Sequence, residues 1–210
     1  MINFIDTNNE EFWNTITHLF GLILVIIGIP FLFIYDNELT YLSRLSLILF
    51  SLGLLLVYLS STIYHYITEI KLKRKFQIFD HISIYYLILG SYAPVCLITL
   101  YNYSGLRIFL IISLLAVIGT CIKIFSKKKI ETISLLVYLI MGWLIIFDIH
   151  TLFELISFNA KIFLIGSGLS YTIGVFFYYF DRIKFFHSVW HIFVLNGSLL
   201  HYIFVLVYII

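Results

Sequence analysis

The sequence predicts an all-α integral membrane protein, a bundle of seven transmembrane helices, and three observations predict it. Seven long apolar stretches fill the 210 residues with little between them. Hydrophobic residues make up 62% of the chain and charged ones 11%, with a mean hydropathy of +1.06, whereas soluble chains carry about 25% charged residues. The cationic side chains gather in alternate loops. Lipid offers no partner for open backbone groups, so only helices or a closed barrel can span it. Barrel strands would alternate apolar and polar residues over about ten positions, and these runs do not.

A crossing needs about 20 apolar residues, which places the spans at 17–35, 42–67, 79–100, 105–125, 130–149, 160–180 and 185–210. The first is preceded by Asp6, Glu10 and Glu11 and by no lysine or arginine. A cleaved secretory leader begins with basic residues, so this span is expected to be retained. Gly28 with Pro30 predicts a kink in it, and Gly90 with Pro94 predicts another in the third. The second closes on Ser61 and His65, and the third opens on Asp80 and His81. The fourth and fifth are predominantly apolar. The sixth carries a stripe of small residues, Gly166, Ser170 and Gly174, that permits close helix approach. The seventh opens on His187 and His191. Cys96 and Cys121 fall in different spans near opposite ends, so neither a disulfide nor a thiolate metal site is expected. Seven spans use nearly the whole length, which leaves room for one membrane domain over 1–210.

Loop charges set the orientation. Lys71, Lys73, Arg74 and Lys75 follow the second span, Lys123, Lys127, Lys128 and Lys129 the fourth, and Arg182 and Lys184 the sixth. Ten of the thirteen basic residues thus share one side, with Arg44, Arg107 and Lys161 on the other. The amino terminus is expected in the cytoplasm and the carboxyl terminus outside. No basic face exists beyond these loops, which excludes nucleic acid as a partner. The seventh span has no lysine after Lys184, which excludes a retinal Schiff base.

With this orientation the polar groups fall at one membrane face. Ser61 and His65 end the second span there, Asp80 and His81 open the third, and His187 and His191 open the seventh. Glu11, Asn14 and His18 share one face of the first helix. A histidine pair at i and i+4 can bind one metal ion. A third imidazole from another helix completes a three-histidine zinc site with an open fourth position, where bound water has a pKa of about 7. Asp80 is placed to accept a proton from that water, and Ser61 lines the same pocket. Three neutral imidazoles, one dication, one carboxylate and one hydroxide sum to zero, which a low-dielectric site tolerates. From spacing alone, metal binding and a set of interfacial histidines both remain open. His18, His81 and His150 taken singly read as interfacial or hydrogen-bonded residues. His201 lies about 15 Å beyond His191 along its helix and reads as a packing or hydrogen-bonding residue. Asp80 also suits a helix N-cap, and Tyr64, Trp143 and Trp190 suit packing or an interfacial belt.

Five motifs in order carry a family resemblance: E-E-F-W-N-T-I-T-H-L-F-G from Glu10, S-S-T-I-Y-H from Ser60, D-H-I-S-I-Y-Y-L-I-L-G-S-Y-A-P from Asp80, M-G-W from Met141, and H-S-V-W-H-I-F-V-L-N-G-S-L-L-H from His187. The chain resembles, over nearly its whole length, the hemolysin III-like proteins, relatives of the progestin and adiponectin receptors. Phe79 stands before Asp80 where leucine is more usual. The resemblance implies seven helices with the amino terminus in the cytoplasm. It also implies Zn²⁺ held by His65, His187 and His191, with Asp80 on the zinc-bound water and Ser61 nearby. Similar sites occur in alkaline ceramidases, which cleave a sphingolipid amide. The expected function is a zinc-dependent hydrolase of a ceramide-like membrane lipid amide or ester. Its alternatives are a membrane-lysing or pore-forming protein, as the name hemolysin suggests, and a receptor or sensor with structural zinc. The roles of Glu10 and Glu11 are left open.

Overall fold

The computed structural model describes residues 9–126 and 131–210, so Asp6, Lys127, Lys128, Lys129 and Ile130 lie outside the described residues. All regular structure among the described residues is helical: α1 (Glu10–Ile34), α2 (Ser43–Tyr66), α3 (Ile70–Pro94), α4 (Gly105–Phe125), α5 (Glu131–Trp143), α6 (Ile149–Leu155), α7 (Phe158–Tyr179) and α8 (Phe186–Tyr208). A π-helical turn, Val95–Thr99, prolongs α3, and a 3₁₀ turn, Leu144–Asp148, joins α5 to α6. Seven of the resulting rods are long and apolar enough to cross a bilayer. Their outward faces are apolar, with Ile27, Ile34, Leu110, Leu114 and Leu136 all exposed. Water would not tolerate such a surface, and lipid does. The protein is integral to the membrane.

Three span boundaries depart from expectation, each for a local reason. The first helix starts at Glu10 rather than near residue 17, because Asn9 caps it by accepting from the Glu11 amide at 3.1 Å. Glu10 and Glu11 then sit in the first turn, where the helix dipole favours them. The third helix starts at Ile70 rather than 79. Its basic run reads as a loop, but lysine, arginine and glutamine are good helix formers. Asp80 therefore stands three turns inside α3 and is not its cap, a place taken by Glu69. The fifth span is broken rather than continuous. The Tyr92 hydroxyl donates to Gly142 O at 3.0 Å and accepts from Ile145 N at 3.0 Å. A side chain inserted into the i to i−4 ladder displaces the regular bonds. A π turn follows directly after Pro94, where the sequence predicts a kink, and α1 runs through Pro30 as one helix.

The packing that places the site runs through two helix pairs. On α2 and α3 the backbones meet at glycines: a Cβ on Gly53 would lie 2.6 Å from Tyr86 O, and one on Gly90 2.7 Å from Leu49 O. On α7 and α8 the small-residue stripe is partly used. Gly174 faces the Trp190 ring, and Ser170 Oγ donates to Phe193 O at 2.9 Å. Ser167 adds a parallel bond to Gly197 O at 2.9 Å. Helix α1 closes the bundle against α2 and α8, with Ser188 Oγ donating to Asn14 Oδ1.

Candidate metal centre

Two helices bring three histidines to one point. His65 comes from the last turn of α2, and His187 and His191 come from the first two turns of α8. One nitrogen from each of the three lies within 4.8 Å of the other two. The ring centroids are 5.2 Å apart for His65 and His187, 4.9 Å for His65 and His191, and 4.6 Å for His187 and His191. The helical spacing of 187 and 191 produces the last value, and the approach of α2 to α8 the other two. His65 is 4% and His191 2% exposed.

The hydrogen bonds of these rings say which nitrogens point inward. His65 Nδ1 donates to Glu11 Oε2 at 2.7 Å, while its Nε2 is buried with no partner. His187 Nε2 is likewise buried and unpartnered. His191 Nδ1 lies 3.3 Å from Thr17 Oγ1. That hydroxyl already gives its hydrogen to the carbonyls of Trp13 and Asn14, at 2.8 and 3.0 Å, so the imidazole is the donor. Buried polar atoms are normally satisfied. Two orphaned imidazole nitrogens beside a third are the donor set that a tetrahedral zinc ion takes, with its fourth position open.

Ser61 and Asp80 line a cavity of about 220 Å³ together with His187 and His191. Ser61 is 2% and Asp80 8% exposed. The rest of this wall is apolar, with Ile84, Ile88, Leu164, Ile165 and Val194 among its residues. A second hollow of about 290 Å³ meets the cluster from the cytoplasmic ends of the helices and is polar. Glu10, Glu11, Tyr64, Gln77, Glu131 and Asp181 line it, with His65 and His187. The imidazoles stand between the two.

The other histidines separate. His18, expected at the interface, is 3% exposed and sits edge-on to His191 with ring centroids 4.0 Å apart. Its own Nδ1 is buried without a partner, and it lines the apolar cavity. His81 is buried beside Tyr178, and its carbonyl accepts from the Tyr138 hydroxyl at 2.6 Å. His201 bonds Ser91 O at 3.0 Å deep in the bundle. His150 is exposed near Glu154. Trp143 donates to Thr172, and Trp190 packs on Tyr178. Cys96 and Cys121 are both free, one buried and one exposed.

Sequence comparison matches residues 6–202 to the family model described as haemolysin-III related. The chain belongs to the haemolysin-III-related family. This haemolysin-III-related protein is similar to the hemolysin-3 homolog of Bacillus subtilis (strain 168), with 39% identity over 203 residues covering 96% of this chain and 95% of the relative. It is similar to hemolysin-3 of Bacillus cereus, 37% identical over 202 residues, covering 96% and 92%. A more distant relative is the human monocyte to macrophage differentiation factor, 26% identical with coverage of 92% and 82%. With bacterial relatives of this kind and seven membrane-spanning helices, the protein resides in the cell membrane.

Proposed function

We propose that this haemolysin-III-related protein binds one zinc ion through His65, His187 and His191 and hydrolyses the amide or ester bond of a membrane lipid, ceramide-like in form. The observation that carries the reading is the meeting of three imidazole nitrogens within 4.8 Å, two of them from rings that line an apolar cavity with Asp80. Zinc, when bound there, would polarise a carbonyl and lower the pKa of a water molecule.

The chain's own groups have separate parts. The apolar wall of Ile84, Ile88, Leu164 and Ile165 takes the hydrocarbon of the substrate and keeps bulk water away. Asp80 accepts the proton of the attacking water and returns it to the leaving amine or alcohol, as a general base and then a general acid. Ser61, on the same cavity wall, offers its hydroxyl to that carboxylate. Donors and acceptors fixed before the reaction need no rearrangement during it.

The test joins metal analysis of purified protein to a lipid-product screen by mass spectrometry. The intact protein is expected to carry about one zinc per chain, from one three-histidine site. It should release fatty acid from ceramide-like amides. His187→Ala with His191→Ala should lose both. Equal zinc in the double variant would reject these ligands. Dye leakage from liposomes with no lipid cleavage would instead favour a membrane-lysing protein. Zinc without any released product would favour a structural ion in a receptor or sensor.

A further inference from the structure

Helix α1 supplies none of the three clustered histidines, yet it holds two of them. Thr17 accepts from His191 Nδ1, and Glu11 Oε2 accepts from His65 Nδ1 at 2.7 Å. The other Glu11 oxygen accepts from Lys73 Nζ at 2.9 Å. Lys73 belongs to the cytoplasmic extension of α3, and its ammonium also lies 4.9 Å from the centre of the Tyr64 ring. That ring rests on His65 at 4.5 Å. One carboxylate thus ties three helices together at the back of a single imidazole.

We propose that Glu11, clamped by Lys73, is the positioning residue of the metal centre. It fixes His65 as the Nδ1–H tautomer, aims its Nε2 at the point shared with His187 and His191, and raises its strength as a ligand. The inference rests on the zinc reading above. Its physical basis is general. A neutral imidazole presents a lone pair on one nitrogen only when the other carries the proton, and an acceptor on that other nitrogen selects the tautomer. A carboxylate is the strongest such acceptor, because the bond is charge-assisted. Here the selected nitrogen is the one left buried and without a partner. The Lys73 ammonium balances the carboxylate's charge and stops it from rotating away. Glu11 touches neither the apolar cavity nor any reacting atom and acts only through His65.

The experiment measures zinc affinity by chelator competition and the d–d absorption of the cobalt(II)-substituted protein, in wild type, E11A, E11Q and K73M. E11A is expected to bind zinc about 10- to 100-fold more weakly and to shift the cobalt bands, as loss of an outer-shell partner does. E11Q keeps an oxygen acceptor for Nδ1 without the charge, so its affinity should fall between those of E11A and wild type. K73M should show a smaller loss in the same direction. A pair that merely fastens α1 to α2 would lower thermal stability and leave zinc affinity and cobalt bands as in wild type, which would overturn the inference. If E11A does not fold, E11Q and K73M decide by the same two readouts. Wild-type protein that takes up no zinc would sink the metal reading itself, a result distinct from equal binding by wild type and variants.

Discussion

Asp80 lies three turns inside α3 and lines the apolar cavity together with Ser61. A carboxylate so placed can move protons without holding the metal. Asp80→Asn is therefore expected to keep its zinc while lipid hydrolysis falls by about 10²- to 10⁴-fold, the usual worth of a general acid–base group. Zinc stoichiometry and turnover measured on the same preparation check this. At this scale the sequence was informative where the periodicity of one helix joins the residues. His187 and His191 share a helix face whatever their surroundings, and Ser61 and His65 do too. The link from Glu11 to His65 spans 54 positions and depends on how α1 leans on α2. No spacing reveals it. His18 escaped for a similar reason: its place beside His191 is a matter of helix docking, and a single histidine near a helix start reads as interfacial.

Two elements behave differently from a plain apolar cylinder. With its π turn, α3 runs 30 residues, Ile70–Thr99, or about 45 Å at 1.5 Å per residue. The hydrocarbon layer is about 30 Å thick, so its basic first turns stand in the headgroup zone, where Lys73 reaches Glu11. Hydropathy registers only the buried part of such a helix, which is why the charged turns resembled a loop. The fifth crossing is the converse case, mainly apolar in sequence and yet broken, because the disruption comes from Tyr92 on another helix. Tyr92→Phe removes both bonds at the break. It should cost about 0.5–1.5 kcal/mol for each, seen as a lower melting temperature in detergent, and should change amide exchange around Ile145. An unchanged exchange pattern there would show that the break does not depend on the hydroxyl.

Across the whole molecule, orientation decides which solution the polar hollow faces. Seven crossings put the chain ends on opposite sides, and the basic loops fix the amino-terminal side as cytoplasmic. Alkaline phosphatase fused after Ile210 should be active, and green fluorescent protein fused there should stay dark. The reverse pattern would turn the site to the outside. The number of spans and their direction were readable because they follow from length and charge alone. The two hollows were not, since each is lined by residues from several helices.

The histidine cluster, with an oily chamber on one side and an acidic, polar one on the other, stands at a phase boundary. For a hydrolase of a ceramide-like amide built this way, the cleaved fatty acid and the long-chain amine are both lipid-soluble, and both stay dissolved in the leaflet. Turnover would then slow as the surrounding bilayer fills with released acyl chains, so product inhibition should scale with mole fraction in the membrane and not with bulk concentration.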